Sequence, residues 1–544
     1  MDYLSATFPE VNFNKLFMDF INTPAVYSWA VGTAMAAFFV YIAVWRLYMS
    51  PIAQFPGPRL AALTHLYEIY YNNWLGGKYV YRVAAMHREY GPIVRISPTD
   101  LHIGDPDFYD TLYPSASSKR RVNKTPSLTK FFGLDDSLFS TIDHDTHRMR
   151  RAALNPYFST LYVRKLQPVI QERLNVLLQR LNNFKDTDQA VNANCMYAAL
   201  SNDLMQMLTF GQHSSKLETP DFDSTERDAS LNGAMSFHVT KRLPWLNDLM
   251  MSLPQVVIKH INPSLSMFME QKHITRQKVE KLSSMPKTEW AGKETQPVAL
   301  SLLESAKLPP AERKIGRVAQ DAEMVLMAGT LTTATTLEHL LFWMIDNPDV
   351  LRKLKEELKG VMPTVNDLAN IPLTTLEGLP YLTAVLKEAT RLIYGNTTPH
   401  FRSNPDTALV FQDTQRSKTW VIPPNTSVGM TSVILHHDER HFPNSWRFDP
   451  DRWLGEEGKK LDRYNVGFGK GGRICLGMNQ AYGIMRLVMA QTWRLWASPD
   501  VSIGDEIGVI KLYNTTAHDV KMNGDFFIPA YNKPQGVEFK VFSR

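Results

Sequence analysis

Hydrophobic positions recur along most of the chain at intervals of three and four residues, the spacing that predicts helices with a buried face. The long segments with this pattern are residues 161–181, 190–210, 318–345, 348–361, 375–393 and 481–496. Strand-like runs are short and few: PIVRIS at Pro92, ALVF at Ala408 and TWVI at Thr419. The pattern therefore predicts a mainly α fold with small β-sheets.

One segment near the N-terminus is apolar on every face. Residues 21–45 contain no charged side chain, and about 20 such residues span a bilayer. A cleaved secretory signal is the alternative, but this run is longer than the apolar region of a signal, and acidic residues precede it. We therefore expect a single uncleaved transmembrane helix over 21–45, after a short lumenal N-terminus over 1–20.

The residues around that segment predict how it is connected. Arg46 and Arg59 follow it and only Lys15 precedes it closely, so the positive-inside tendency places the rest of the chain in the cytosol. Prolines after the segment prevent its helix from continuing. We interpret residues 46–58 as a proline-rich linker and residues 59–544 as the folded body.

The composition argues against several classes of function. The net charge is +5, from 59 basic and 54 acidic residues, and no long basic run is interleaved with aromatic residues, which argues against nucleic-acid binding. Only two cysteines are present, too few for a disulfide framework or a four-cysteine zinc site. A special role for a single thiol is therefore the simpler interpretation.

Cys475 lies in the stretch FGKGGRICLG. Gly467, Gly469 and Gly472 match the G-x-G-x-x-G spacing of a dinucleotide loop, but the charged KKLDRYNV before them does not fit a buried strand. No acidic residue follows within about 20 positions to hold a ribose. A nucleophilic cysteine with a histidine base is a second alternative. The chain has 15 histidines, so the presence of one histidine somewhere in the sequence is no evidence for such a pair.

A third interpretation uses every residue of the stretch. Glycines let the backbone approach a flat cofactor, and Arg473 offers a cation to a carboxylate. Cys475 precedes a predicted helix whose positive end favours a thiolate. A thiolate beside a planar dicarboxylate cofactor is the axial ligand of a haem that cleaves O–O bonds. We therefore predict that Cys475 is an axial ligand of haem iron.

The same stretch resembles the signature of the cytochrome P450 family. The pattern F-x-x-G-x-R-x-C-x-G is matched without exception by Phe468, Gly471, Arg473, Cys475 and Gly477. The resemblance implies a P450 fold, here preceded by one transmembrane helix. It also implies that these five residues bind haem.

Two further motifs follow in the order typical of the family. KEATR supplies its E-x-x-R as Glu388 and Arg391, about one helical turn apart. FDPDRW makes Arg452 the third member of the family's Glu-Arg-Arg cluster. By this resemblance the cluster is structural, a carboxylate between two guanidiniums that fixes the loop of Cys475.

Other positions resemble the family's propionate-binding residues. HRMRR places His147 where tryptophan is usual and Arg151 four residues later, so that both face one way. Arg402 is similar to another propionate-binding position. A basic surface helix remains the alternative for the first pair.

AGTLTT, residues 328–333, resembles the oxygen-binding segment of the family. The resemblance makes Thr332 the catalytic threonine that relays protons. Leu331, however, stands where the family has an acid. Glu338 is seven residues further on, about 10 Å along a helix, too far to replace that acid directly.

The resemblance also implies cofactors and partners. We expect haem b, dioxygen as co-substrate, and electrons from NADPH through a separate NADPH–cytochrome P450 reductase at the endoplasmic reticulum membrane. The stretch Tyr90 to Pro114 resembles trichodiene oxygenase-like enzymes of fungal secondary metabolism, which favours a small, apolar, terpenoid-like substrate. A polyketide or alkaloid substrate, and a rearrangement or ring closure without net oxygen insertion, remain alternatives.

Overall fold

The computed structural model describes residues 24–129, 133–286, 296–414 and 416–544, so the predicted lumenal segment 1–20 lies outside the described residues. The α-helices are α1 Pro24–Val44, α2 Arg59–Leu63, α3 Leu66–Ile69, α4 Tyr79–Tyr90, α5 Tyr109–Leu112, α6 His144–Leu154, α7 Thr160–Lys165, α8 Gln167–Asn183, α9 Ala193–Phe210, α10 Thr225–Met235, α11 Phe237–Arg242, α12 Pro244–Ser252, α13 Gln255–Ile261, α14 Pro263–Ser284, α15 Val298–Leu303, α16 Ile315–Asp346, α17 Pro348–Val361, α18 Leu373–Glu377, α19 Pro380–Leu392, α20 Ser432–Leu435, α21 Gly455–Leu461 and α22 Met478–Leu495.

The β-strands are short. They are β1 Ile93–Arg95, β2 Asp100–Ile103, β3 Asn123–Lys124, β4 Val191–Asn192, β5 Arg402–Ser403, β6 Leu409–Asp413, β7 Lys418–Ile422, β8 Ser427–Gly429, β9 Trp496–Ala497, β10 Gly508–Tyr513, β11 Met522–Phe526, β12 Ile528–Tyr531 and β13 Glu538–Phe542. The prediction of a mainly helical fold with small sheets is confirmed.

Helix α16 is the central element of the helical core. It runs for 32 residues and packs along α9, most of whose side chains are buried. Gly329 lies at this crossing, where an added Cβ would come within 2.7 Å of the Cγ of Met205. The small residue therefore lets the two helices approach closely, and the apolar area buried between them stabilises the core.

Two predicted helices are each divided in the structure. Segment 161–181 becomes α7 and α8, and segment 375–393 becomes α18 and α19. In both cases a proline, Pro168 or Pro380, occupies the first turn of the second helix. Proline has no N–H to bond the preceding turn, so it starts a new helix rather than continuing an old one.

The largest sheet has the strand order β1-β2-β8-β5-β3. β2 and β8 are parallel, and the other pairs are antiparallel. In the last pair Lys124 of β3 lies directly opposite Arg402 of β5. This register brings two cations of distant sequence together beside the loop of Cys475.

From Tyr27 onward the N-terminal helix has no buried side chain, and Tyr27–Met49 is long and apolar enough to cross a membrane. The segment after it, predicted as a linker, packs against the body. Ile52 and Phe55 are buried, and Phe55 stacks on Trp420 with ring centroids 5.2 Å apart. The helix is therefore joined to the folded domain by an ordered segment.

Candidate active site

Cys475 lies between a single 3₁₀ turn, Gly471–Arg473, and helix α22. Its N–H donates to the carbonyl of Phe468 at 2.9 Å. The side chain has exposed surface, yet burial within the protein raises the pKa of the thiol, against the smaller opposing effects of the Gly477 N–H and of Arg151. Cys475 therefore borders a space inside the protein. The expected preference for thiolate is outweighed by burial here, and it is iron that deprotonates a coordinating thiol outright.

Two glycines of the motif have different roles. Gly471 has φ +75°, and a Cβ there would lie 2.5 Å from the carbonyl oxygen of Tyr113, so only glycine fits. A Cβ on Gly477 would meet no atom within 4 Å, which leaves the backbone open to a flat group. Phe468 packs on Tyr482, with ring centroids 5.2 Å apart.

Arg473 and Arg402 are buried or half-buried cations whose hydrogen bonds, among the described residues, all go to carbonyl groups. The two Nη atoms of Arg473 donate to the carbonyls of Thr141 and Ile142 at 2.6 and 2.7 Å, while its buried Nε has no hydrogen-bond partner in the described part of the chain. Arg402 donates to the neighbouring carbonyl of Phe401 at 2.9 Å. Burial, and then the charge of Arg402, lower the pKa of Arg473 to about 9.

Lys124 is a third buried cation, which the sequence analysis missed. Its Nζ donates to the carbonyl of Phe139 at 2.8 Å. Burial, followed by the charges of Arg402 and Arg473, holds the pKa of Lys124 well below its usual value. Like charges directly opposite on neighbouring strands destabilise a sheet, so the pairing of Lys124 with Arg402 is favourable only when an anion lies nearby.

The structure places His147 and Arg151 on α6, at the same group of cations. Burial lowers the pKa of His147 to about 2, with further contributions from Arg473 and Arg151. Arg151 donates to the carbonyl of Ile474 at 2.7 Å. It therefore also holds the loop of Cys475, and the contact with a propionate that the resemblance implies stays a prediction.

These five residues form what we call the cation cluster: Lys124, His147, Arg151, Arg402 and Arg473. Among the described residues, no carboxylate lies within ion-pair distance of any member. Buried cations are ordinarily paired. A cluster with excess positive charge, an open glycine surface and one thiol fits the two propionates, the flat ring and the iron of a haem.

A second group of buried charges surrounds Glu388. Arg391 contacts both of its carboxylate oxygens, at 2.9 and 2.7 Å, and the Nε of Arg452 donates to Oε1 at 3.2 Å. The indole N–H of Trp453 and the backbone N–H of Asp449 also donate to this carboxylate, at 2.9 and 3.0 Å. The three residues predicted as a structural cluster are thus brought together, and we call them with Trp453 the Glu388 cluster.

The Glu388 cluster is connected to the loop of Cys475 through His436. The imidazole Nδ1 bonds the carbonyl of Arg391 at 2.7 Å, and its Nε2 accepts from the N–H of Val466 at 2.9 Å. Burial lowers the pKa of His436 to about 3, so the ring is neutral and one nitrogen donates while the other accepts. This neutral link fixes the start of the loop.

Helix α16 carries the segment predicted to bind dioxygen. Ala328 and Thr332 are exposed although most of this helix is buried, so they also border internal space. The hydroxyl of Thr332 donates to the carbonyl of Ala328 at 2.8 Å. Leu331, in the place of the usual acid, is buried.

The comparisons with known proteins agree with this geometry. The family model described as Cytochrome P450 matches residues 56–496. The chain belongs to the cytochrome P450 family. It is 40% identical over 505 residues, 93% of this chain and 95% of the relative, to cytochrome P450 monooxygenase tpcC of Cochliobolus heterostrophus.

Two further relatives are similar over most of their length. Tryptophan 6-hydroxylase fscE of Fusarium equiseti is 37% identical over 491 residues, 90% of this chain and 92% of the relative. Cytochrome P450 monooxygenase TRI4 of Fusarium sporotrichioides is 34% identical over 509 residues, 92% of each chain. The predicted resemblance to fungal secondary-metabolism P450s is confirmed, and so is the assignment as a monooxygenase that uses haem, dioxygen and reductase-supplied electrons.

A cavity of about 770 Å³ lies beside the oxygen-binding segment of this P450. It is lined by both Leu331 and Thr332 of α16 and by residues of α10 and of the C-terminal hairpin β11–β12. The hydroxyls of Thr397 and Thr398 each donate to the buried carboxylate of Asp525 at 2.7 Å. They fix the hairpin that forms one wall of the cavity.

Proposed function

We propose that this P450 is anchored in the endoplasmic reticulum membrane and oxidises an apolar, terpenoid-like intermediate of fungal secondary metabolism. The observation that carries the substrate class is the cavity at Thr332. Its volume suits a small polycyclic molecule, and substrate pockets of this size are mostly apolar with a few polar groups. Apolar side chains dominate the wall near Thr332: Leu231, Met235, Leu331, Ile393, Phe526 and Ile528.

The residues of the site divide the work between holding the cofactor and handling protons. Cys475 would be the axial ligand, and Arg473, Arg402, His147 and Lys124 would bind the propionates. When bound, the haem iron activates dioxygen with electrons delivered from NADPH by the reductase. Thr332 would place its hydroxyl at the oxygen site once it releases the carbonyl of Ala328. Leu331 and the hairpin exclude bulk water from the reacting carbon.

Membrane attachment is supported by a continuous apolar side of the molecule. Arg46, at the end of the N-terminal helix, donates to the carbonyl of Leu63, which fixes the helix against the body at α2. The next elements expose Leu66, Tyr70 and Trp74. Glu68 of α3 pairs with Lys241 at 2.8 Å and with Arg242, so α11 and the helices that follow it lie on the same side.

Helices α12 and α13 extend this side with further large apolar residues. Trp245, Val256 and Ile261 are 59%, 71% and 63% exposed. Exposed apolar residues grouped around a candidate membrane helix mark a surface that contacts lipid. The arrangement supports a body that rests on the bilayer beside its anchor.

Topology can be tested with the glycosylation sequons of the chain. Asn425 and Asn514 lie in exposed N-x-(S/T) sequons. With the body in the cytosol, both stay unmodified when the full chain is expressed in a eukaryotic host, and endoglycosidase treatment leaves the mobility of the protein unchanged. A shift in mobility that is lost in the Asn425→Gln and Asn514→Gln variants would place the body in the lumen.

The cofactor assignment is tested first by the ferrous carbon-monoxide difference spectrum. Wild type should show the red-shifted Soret band of thiolate-ligated haem, and Cys475→Ala should lose it completely. Cys195→Ala is the matched control, because Cys195 is a half-buried thiol packed against the main core and its loss should leave the band intact. Bound haem without this band in wild type would overturn the role of Cys475.

The substrate class is tested by turnover with reductase and NADPH on a panel of terpenoid, indole, polyketide and alkaloid compounds. Oxygen from ¹⁸O₂ should enter a terpenoid product. A product formed without ¹⁸O would instead indicate a rearrangement or ring closure. Exclusive oxidation of an indole compound, the class of substrate named for the tryptophan 6-hydroxylase relative, would replace the terpenoid assignment.

A further inference from the structure

Leu331 leaves the proton supply of this P450 unexplained, because an apolar side chain stands where the family's usual pattern has an acid. The face of α16 that continues from this position is polar. Thr332, Thr335 and Glu338 recur at intervals of three, so they follow one face of the helix. All three line the 770 Å³ cavity, which joins Glu338 to the oxygen-binding segment.

Glu338 is a buried carboxyl, 3% exposed, with neutral partners. Its Oε1 accepts from the N–H of Val537 at 2.6 Å, and its Oε2 accepts from the side-chain amide of Asn194. A Cβ on Gly536 would lie 2.5 Å from Oε1, so the backbone packs directly on the acid. Within the described part of the chain, no cation lies within ion-pair distance of Glu338.

The far side of the cavity reaches solvent. Its lining includes the exposed residues Leu75, Asn523 and Gln535. Behind Glu338, the side chain of Asn194 accepts from the Nε of Arg227 at 2.6 Å, so a cation fixes the amide that orients the acid. The other titratable groups facing this space come from several elements: Lys78, Arg227, Asp228, His339, Asp519, Tyr531 and Lys533.

We propose that Glu338 supplies the protons that the residue at position 331 cannot supply, through water in this cavity. Glu338 lies six residues beyond Thr332, about 9 Å along the helix axis, a gap that a short chain of water molecules spans, and Thr335 lines the cavity midway. Within the mainly apolar cavity, Thr332, Thr335 and Glu338 form a polar strip, which gives ordered water the several hydrogen-bond partners that it needs. The carboxyl gives a proton to the nearest water as Thr332 receives one from the last, and the resulting carboxylate takes a proton from solvent at the mouth of the cavity.

This inference rests on the proposed function, and it assigns Glu338 as a positioning and relay residue that acts through Thr332. Other acids of α16 do not meet its requirements. Asp321 is paired with Arg317 at 2.8 Å, and Glu323 bonds the hydroxyl of Thr275. Neither of these lines the cavity.

Glu338→Gln tests the relay, with Glu323→Gln as the matched control on the same helix. In Glu338→Gln the product formed per NADPH should fall by about tenfold or more while hydrogen peroxide rises, because an unprotonated oxygen adduct is released. The carbon-monoxide spectrum and thermal midpoint should stay close to those of wild type. Glu323→Gln should couple NADPH to product as wild type does.

Leu331→Asp in the Glu338→Gln background provides a rescue that a merely structural role would not show. An acid restored beside Thr332 should recover most of the coupling, because the long water path is no longer needed. Unchanged coupling in Glu338→Gln overturns the proposal, and so does failure of the rescue in a variant with normal haem and thermal midpoint.

A second readout does not depend on turnover. Infrared spectra of the haem-loaded protein, recorded across the pH range in which the protein is folded, should contain a carboxyl component that shifts in D₂O and is missing in Glu338→Gln but present in Glu323→Gln. Absence of that component throughout the pH range in which the protein is folded would show that Glu338 never holds a proton, and would refute the relay. This readout separates the Glu338 relay from the proposed substrate class. If wild type oxidises no terpenoid, the proposed substrate class fails, while the infrared experiment still tests whether Glu338 carries a proton.

Discussion

The Glu388 cluster and the cation cluster are two groups of buried charges built in opposite ways. Around Glu388, one carboxylate receives two guanidiniums, an indole and a backbone N–H, and the spare guanidinium atoms of Arg391 reach carbonyls of His436 and Ser445 at 2.9 and 2.6 Å. The cation cluster has Lys124, Arg402 and Arg473 near one another, and within the described residues no carboxylate reaches ion-pair distance of any of them.

The difference distinguishes a structural site from a binding site. Buried ionic groups are stable only when their charges and hydrogen bonds are satisfied. The charges of the Glu388 cluster are paired within the chain itself, so the cluster can hold the Cys475 loop in place before any cofactor arrives. The charges of the cation cluster are balanced only when a dianion binds. We therefore expect the cluster to stabilise the bound cofactor rather than the empty protein.

The largest expected effect comes from Glu388→Gln. This change removes the only negative charge from the Glu388 cluster. It leaves Arg391 buried without a counter-ion and Arg452 with only the more distant Asp449, at 3.7 Å, which should lower the free energy of unfolding by about 3–5 kcal/mol. Thermal and urea unfolding of the haem-loaded protein measure it. A loss below about 1 kcal/mol, the usual value for an exposed ion pair, would break the contrast between the two clusters.

Lys124→Met should weaken haem binding without lowering the stability of the haem-free protein. It removes one of several mutually repelling cations, so the haem-free protein should unfold no more easily than wild type. Haem should leave the variant roughly tenfold faster or more, because a charge-assisted hydrogen bond contributes about 1.5–3 kcal/mol. Transfer of haem to excess apomyoglobin measures the rate.

Lys355→Met is the matched control for that experiment. Lys355 is a fully buried lysine whose Nζ bonds Glu506 at 3.0 Å and the carbonyl of Trp493 at 2.6 Å. Its loss should destabilise the protein with or without haem, while haem dissociation from the folded state keeps its wild-type rate. Equal haem retention in Lys124→Met and wild type would remove Lys124 from the propionate site.

The smallest effect concerns acid stability. The pKa of His147 is about 2 in the folded protein, below about 6.5 in an unfolded chain. The unfolded state therefore binds more protons in that window, and stability falls as pH falls below about 6.5. In the haem-free protein His147→Asn should lose stability less steeply between about pH 6.5 and pH 5, by at most about 1.4 kcal/mol per pH unit.

Bound haem should reduce this difference, because propionates favour the protonated imidazole. Urea unfolding of wild type and variant, each with and without haem, measures all four slopes. Identical slopes of wild type and His147→Asn in the haem-free protein would show that His147 titrates normally there. A difference that persists unchanged with haem would place the imidazole away from the propionates.

Local sequence patterns were sufficient to predict the helices and the functional residues that lie within a few positions of one another. Helix α17 has the predicted bounds, 348–361, and Glu388 and Arg391 meet because they lie one turn apart. Division of the segment 375–393 was missed because its apolar periodicity continues across Pro380. Cys475 and Gly477 were identifiable as haem-binding residues because both belong to one short motif.

Contacts made across the fold could not be predicted from the same patterns. Lys124 belongs to a two-residue strand that pairs with β5, far away in sequence, so nothing near it in the sequence indicates its role. The sequence alone places Glu338 too far from position 331 to replace the acid missing there, because distance along the helix axis is the only measure that a sequence offers. The cavity that connects them is formed by α10 and the C-terminal hairpin, and it exists only once the chain has folded.

The pairing of Lys124 with Arg402 also bears on how the protein is assembled. A ladder that sets two cations opposite each other resists closing until a negative group neutralises them. The edge strand β3 should therefore be the last part of its sheet to form, and it should wait for the haem. Cells that make this enzyme faster than they make haem would accumulate chains with a folded helical core and one loose sheet edge, the form that chaperones retain and proteases remove first.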